Sequence, residues 1–194
     1  MAKINWKGGA LAAPVPPALI TCSDGVRDNV LTVAWTGIVC THPPKTYISV
    51  RPSRFSYNII RDSGVFAVNL TTEALVRTAD ICGVKSGKNI DKFELCGIVK
   101  EPAFEIPCPI IAQSPVCLEC RVDKIISLGS HDMFLADIVG VDVDEELLTA
   151  DGKLRIDRAG LAAFAHGEYF ALGKKLGYFG FSVRKKKKRT SPRK

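Results

Sequence analysis

The chain has 194 residues, 46% hydrophobic and 24% charged, with a formal net charge of +7. This is the composition of a globular domain large enough to bury a core. It excludes a membrane-spanning helix, because no apolar run approaches the roughly 20 residues that one needs.

Residues up to about Asp28 are rich in Pro and Gly and predict an entry arm with one strand near Ala18–Cys22. Lys3 and Lys7 precede a segment broken by Pro14, Pro16 and Pro17. That is not a secretory pattern, so a cytoplasmic location is expected. Asn29–Thr41, rich in Val, Ile, Thr and Trp, predicts one long strand that Pro43-Pro44 ends. Thr46–Arg51 predicts the next strand. Ser53 is a suitable N-cap for a short helix over Arg54–Arg61 that closes near Gly64. Val65–Leu70 predicts another strand, and Thr72–Cys82 a helix capped by Thr71 or Thr72.

The polar loop after Cys82 resembles a phosphate loop only superficially. Three residues, not four, separate Gly83 from Gly87, and Asn89 follows Lys88 where Ser or Thr is required. A helical turn is expected at Ile90–Leu95. Val116–Ser127 and Met133–Val143 predict two long strands joined by the short link Leu128–His131, a hairpin. Cys117 and Cys120 form a CxxC inside the first of these. Their odd offset puts the two thiols on opposite faces of a strand, which argues against a zinc or redox pair. Seven scattered cysteines without a secretion signal predict reduced thiols.

Asp144–Leu148 predicts a helical turn, Asp151-Gly152 a turn, and Ala159–Leu172 a helix despite Gly160 and Gly167. Eight basic residues and no acid lie between Arg184 and Lys194, so this end accounts for the whole net charge. The chain divides into a near-neutral domain, residues 1–182, and a basic tail, residues 183–194, expected to be disordered. Strands cluster without regular alternation with helices. The expected fold is therefore mainly β with inserted helices, an antiparallel barrel rather than a doubly wound sheet.

Neither a dinucleotide fingerprint nor a serine-hydrolase elbow is present, and His42, His131 and His166 lack metal-ligand spacing. One constellation remains. Small residues at Ala34 and Gly37 allow close backbone approach to a flat ligand. Arg51, Ser53, Arg54, Ser56 and Tyr57 surround a strand-to-helix junction, where helix amides also favour an anion. The plainer alternative is that Val33 and Trp35 are core and Arg54 is a solvated helix residue.

Asn29-Val-Leu-Thr-Val-Ala-Trp-Thr-Gly37, Pro43-Pro44, Ile48-Ser-Val-Arg-Pro-Ser-Arg-Phe-Ser-Tyr57 and Phe66-Ala-Val-Asn-Leu70 occur in that order. Cys82-Gly83, Ser86-Gly87, Asp91-Lys92-Phe93, Gly129-Ser130-His131 and Leu176-Gly-Tyr-Phe-Gly-Phe-Ser182 follow. Together they resemble the flavin reductase-like FMN-binding family, near the flavoredoxins. The resemblance implies an antiparallel Greek-key split β-barrel, a homodimer, and FMN near the dimer interface with NADH or NADPH as reductant. It implies that Val33, Ala34, Trp35, Thr36 and Gly37 line the flavin ring, with Ser49, Val50 and Arg51 along the ribityl chain and ring. Arg54, Ser56 and Tyr57 would hold the phosphate, helped by Ser86 and Lys92. Asn69 would sit beside the cofactor, and His131 near the flavin or the nicotinamide as the candidate catalytic residue. Many relatives carry Thr where Ser56 stands; the hydroxyl is kept.

Three readings follow. One is an NAD(P)H-dependent flavin oxidoreductase with a small-molecule or protein electron acceptor. Another is an FMN-binding electron carrier reduced by a partner protein. A nucleic-acid-binding barrel using the basic tail ranks far behind, because the body lacks stacking aromatics beside a basic groove.

Overall fold

The computed structural model describes residues 1–184. The basic run from residue 185 onward, with the expectation of disorder attached to it, lies outside the described residues. No helix among them is long and apolar enough to cross a membrane.

The strands in chain order are β1 (Ala18–Ser23), β2 (Asp28–Val33), β3 (Thr36–Cys40) and β4 (Lys45–Val50), followed by helix α1 (Phe55–Ser63) and β5 (Val65–Leu70). Helices α2 (Val76–Val84) and α3 (Lys92–Cys96) come next. Two short strands, β6 (Lys100–Pro102) and β7 (Pro109–Ile111), lead to the long pair β8 (Val116–Ser127) and β9 (Asp132–Val143). A last hairpin joins β10 (Ala162–Ala165) to β11 (Glu168–Ala171).

Seven strands form one antiparallel sheet in the order β2-β1-β5-β8-β9-β4-β3. Its two outermost strands, β2 and β3, are consecutive in the chain and separated only by Ala34 and Trp35. A two-residue link cannot cross a flat sheet of seven strands, so the sheet must curl until its edges meet. The β3–β4 ladder runs on into this link, where the Ser49 amide donates to the Trp35 carbonyl at 2.9 Å. The result is an antiparallel split β-barrel with inserted helices.

Alternation along the strands builds two hydrophobic layers. Ile20, Leu31, Ile48, Val50, Phe66, Val68 and Phe134 point inward, where Tyr57 and Ile60 of α1 pack against them. Leu19 and Val30 point outward under α2 and α3, against Ala79, Cys82 and Phe93. Val65, Ala67 and Cys117 point outward under the segment carrying Ile106 and Ile110. Cys120 belongs to the inner layer, so the two CxxC thiols do lie on opposite faces.

Several local expectations are corrected. Asn29–Thr41 is not one strand, because the Ala34-Trp35 bend carries the chain from one sheet edge to the other. Ser53 is not the helix cap. The Arg54 amide bonds the Arg51 carbonyl at 2.9 Å, and this turn moves Arg54 into the N-cap position. The helix expected from Thr72 begins as a 3-10 turn at Glu73–Leu75 before α2. The helix expected over Ala159–Leu172 is the β10–β11 hairpin. His166 (φ 49°) and Gly167 (φ 92°) form its two-residue turn, with the positive φ pair that tight hairpins require. Phe164 faces its cross-strand partner Tyr169 edge-on, with ring centroids 5.1 Å apart.

One half-buried carboxyl makes stability depend on pH. Asp142 on β9 lies beside Glu119 of β8, and burial, then the Glu119 carboxylate, raise its pKa from 3.8 to about 6. Its Oδ2 has no hydrogen-bond partner among the described residues. A carboxyl whose pKa is higher folded than unfolded favours folding while protonated, and that contribution is lost as pH rises from about 4 through 6. Asp142→Asn is therefore expected to raise the melting temperature at pH 8 and leave it nearly unchanged at pH 4. Calorimetry at the two pH values checks this; equal shifts at both would contradict it.

Candidate functional site

Two hollows open side by side where α1 meets the barrel seam, and they share Leu31, Arg51 and Arg54 as a common wall. One is a cavity of about 240 Å³ between α1 and the end of α2. The other, about 260 Å³, lies over the Ala34-Trp35 bend. Among the described residues, no acidic side chain lines either hollow.

The first hollow is cationic. Arg51, Arg54, Lys85 and Lys92 reach its wall, with hydroxyls from Ser53, Ser56 and Ser86. Arg54 donates through Nη1 to the Gly83 carbonyl at 2.9 Å, which fixes the guanidinium while its other donors form no hydrogen bond among the described residues. Lys92 is only 3% exposed. Its Nζ donates to the carbonyls of Val30 (2.7 Å) and Cys82 (2.9 Å), and burial depresses its pKa. The floor is set by Asn29, whose Nδ2 donates to Ser56 Oγ at 2.6 Å. A Cβ at Gly87 would collide with the Asn29 side-chain amide, so glycine lets the loop close over this pair without displacing it.

The second hollow is lined by fewer cations and by two aromatic side chains. Val33, Ala34 and Trp35 form one side, Ser49 and Val50 another, and Phe164 of β10 and His131 complete it. Trp35 is 37% exposed despite its size. His131 precedes β9, with Nδ1 2.9 Å from Ser130 Oγ. Burial first, then the charges of Arg51 and Arg54, lower its pKa from 6.5, so the imidazole is neutral at neutral pH.

Eleven of the expected residues therefore line one hollow or the other: Val33, Ala34, Trp35, Ser49, Val50, Arg51, Arg54, Ser56, Ser86, Lys92 and His131. Four do not, because their polar groups are engaged in the scaffold or their backbone sits elsewhere. Thr36 donates to the Tyr47 carbonyl at 2.6 Å. Gly37 packs beside the Tyr47 ring. Tyr57 turns into the barrel, where its hydroxyl donates to Asp132 Oδ2 at 2.5 Å and its ring meets Phe134 edge-on. Asn69 is fully buried, donates to the Leu19 carbonyl and accepts from the Ile111 amide. Sequence reasoning missed Asn29, Gly87 and Phe164 as site residues. The SG pair after the second helix was a usable signal for Gly87, whereas Phe164 was hidden by reading its strand as helix.

The sequence matches the flavin reductase-like domain family over residues 10–173. The flavoredoxin of Desulfovibrio vulgaris (Miyazaki F) is 31% identical and superposes with a TM-score of 0.87, covering 94% of this chain and all of that one. A flavoredoxin from Methanosarcina acetivorans, 24% identical, covers 95% of this chain and all of that one with a TM-score of 0.85. The FMN-binding protein of Thermus thermophilus, 20% identical, gives 0.77 over 92% of this chain and 97% of that one. These last two share the fold. Among curated relatives, the chain matches 49% of an uncharacterised Aeropyrum pernix protein, 28% identical over 134 residues and 66% of this chain. The chain thus spans about half the length of that relative. With a match over most of its length and a whole-chain likeness to a flavoredoxin, the chain belongs to the flavin reductase-like family.

Proposed function

We propose that the paired hollows bind FMN and that the protein is an NAD(P)H-dependent flavin oxidoreductase. The observation that carries this reading is the junction of a cationic hollow with one sided by Trp35 and Phe164 across the shared Arg51–Arg54 wall. One end suits a phosphate and the other a flat ring. Arg54, Ser56 and Ser86 would hold the phosphate through charge-assisted hydrogen bonds, with Lys92 contributing field rather than a free ammonium. The backbone at Val33–Trp35 would orient the ring, while Trp35 and Phe164 exclude water from it. When bound, FMN supplies a ring that accepts a hydride from a reduced nicotinamide and passes electrons to an acceptor. Neutral His131 could donate or accept one hydrogen bond at Nε2 beside that ring. The residues require no stronger acid or base.

The likeness to a flavoredoxin at 31% identity supports a second use of the same pocket, as an electron carrier reduced by a partner protein. Residues 1–182 act in either case as one domain, working as a cytoplasmic homodimer with a small-molecule or protein acceptor.

Purified protein supplied with FMN and desalted is expected to stay yellow and to bleach on anaerobic addition of NADH or NADPH. A colourless protein after desalting overturns flavin binding. Bleaching that needs a partner reductase moves the assignment to the carrier.

A further inference from the structure

Strand alternation sets Asn29 on the face of β2 that looks at α1. Its neighbour Val30 points outward under α2 and α3, whereas Leu31 points inward, and Asn29 shares the side of Leu31. The backbone of Asn29 is fixed by the β1 ladder, where it pairs with Cys22, and the Cys22 thiol donates to the Asn29 carbonyl at 3.7 Å. The side chain therefore meets Ser56, in the first turn of α1, at the floor of the phosphate-side hollow. Asn29 and Ser56 are both buried. Arg54 and Lys92 give this hollow charge, which attracts any anion; the Asn29–Ser56 pair adds direction.

A hydroxyl carries one proton and two acceptor lone pairs. Asn29 Nδ2 donates to Ser56 Oγ at 2.6 Å, so one lone pair is occupied and the hydroxyl proton points elsewhere. The Cys22 sulfur lies near enough to take it: burial raises the Cys22 pKa to about 12, and the Ser56 hydroxyl is the largest opposing influence. A protonated thiol sulfur is a weak acceptor. A phosphate oxygen in the hollow is a much stronger one and draws the proton toward itself. A carboxylate in place of the Asn29 amide would accept the Ser56 proton and leave lone pairs facing the anion.

We propose that Asn29 is a positioning residue that acts through Ser56, holding that hydroxyl as a donor into the cationic hollow, and so makes the site select a phosphate-bearing ligand. The selection of FMN over riboflavin rests on the reading that FMN phosphate binds there. Close packing keeps the amide in place, since the loop at Gly87 lies against Asn29 where a Cβ would collide with it.

FMN and riboflavin affinities are measured by flavin fluorescence on the full chain for the wild type, Asn29→Ala, Ser56→Ala and the double variant. Asn29→Ala is expected to weaken FMN about tenfold and riboflavin by no more than about twofold. A merely structural loss would weaken both flavins alike. Because Asn29 acts through Ser56, adding Asn29→Ala to Ser56→Ala should bring no further loss of FMN. Losses that multiply in the double variant, or equal losses for the two flavins, overturn the proposal. Asn29→Asp keeps the size of the side chain and serves where the alanine variants do not fold. It should lower the ratio of FMN to riboflavin affinity about tenfold or more, and an unchanged ratio overturns the proposal. If the wild type binds no FMN, the flavin reading falls, and a titration with inorganic phosphate followed by phosphorus NMR judges Asn29 alone. Weaker phosphate binding in the Asn29 variant supports the positioning role; equal binding in both proteins, or none in the wild type, overturns it.

Discussion

Arg54→Ala is expected to weaken FMN binding by about ten- to a hundredfold and riboflavin binding by no more than about twofold. Arg54 stands at the N-cap of α1 with one guanidinium nitrogen fixed on the Gly83 carbonyl. Its remaining donors face a hollow that holds three other basic side chains and no carboxylate. A hydrogen bond from a charged donor to phosphate is worth roughly 1.5–3 kcal/mol. Riboflavin lacks the phosphate, so it has nothing to lose at this position beyond small adjustments of the shared wall. Flavin fluorescence titrations on the two ligands separate the contributions. Equal losses would place Arg54 away from the phosphate, and no loss for either would remove it from the site.

Glu119→Ala should cost stability rather than binding, at about 3–5 kcal/mol, or a melting temperature lower by about 10 °C. Glu119 is 1% exposed. Its two carboxylate oxygens accept from the amides of Phe104, Glu105 and Ile106 at 2.9, 2.7 and 3.0 Å. That one side chain fastens the segment between β6 and β7 to β8. Alanine leaves three amide donors without their acceptor in a partly buried segment. Glu119→Gln should recover only part of the loss, since its amide group turns donors toward donors. FMN affinity at 20 °C should be unaltered, because Glu119 lines neither hollow. A melting temperature within about 2 °C of wild type would show that the segment holds without it.

The parts of the fold legible in the sequence were those decided locally. Val65–Leu70 and Val116–Ser127 are strands over the same residues that their β-branched runs indicate. The Leu128–His131 link makes the expected hairpin. The less legible parts depended on partners far along the chain. Val33-Ala34-Trp35-Thr36 reads as continuous strand, yet among the described residues β2 pairs with β1 and β3 with β4. Ala159–Leu172 has helix-forming alanines and leucines, but Val15 and Thr72 bridge it, at Phe164 and Leu161, into extended structure, and Phe164 finds Tyr169. Propensity is a weak prior against such contacts.

The same division runs through the candidate site. Residue types at Arg51, Arg54, Ser56 and Ser86 announced an anion-binding junction because charge and hydroxyl groups are visible in the sequence. Which of them face the hollow is a matter of direction. Tyr57 is next to Ser56 on α1, and a helix turns about 100° per residue. Ser56 therefore reaches Asn29 at the hollow while Tyr57 reaches Asp132 inside the barrel. Asn69 carries a side chain suited to a ligand, but β5 lies mid-sheet, where its amide completes hydrogen bonds between strands and loop.

By itself the sequence determined the mainly β class, most strand positions and the chemistry of one cationic junction, because those follow from side-chain type and spacing. Only the tertiary structure decided that the junction is one wall of a double hollow. Closing the sheet through a two-residue link, and bridging the β10–β11 hairpin to Val15, brings Trp35, His131 and Phe164 together from three distant segments. It also set Lys92 and Arg54 on neighbouring carbonyls of α2, a coupling that residue spacing along the chain does not encode.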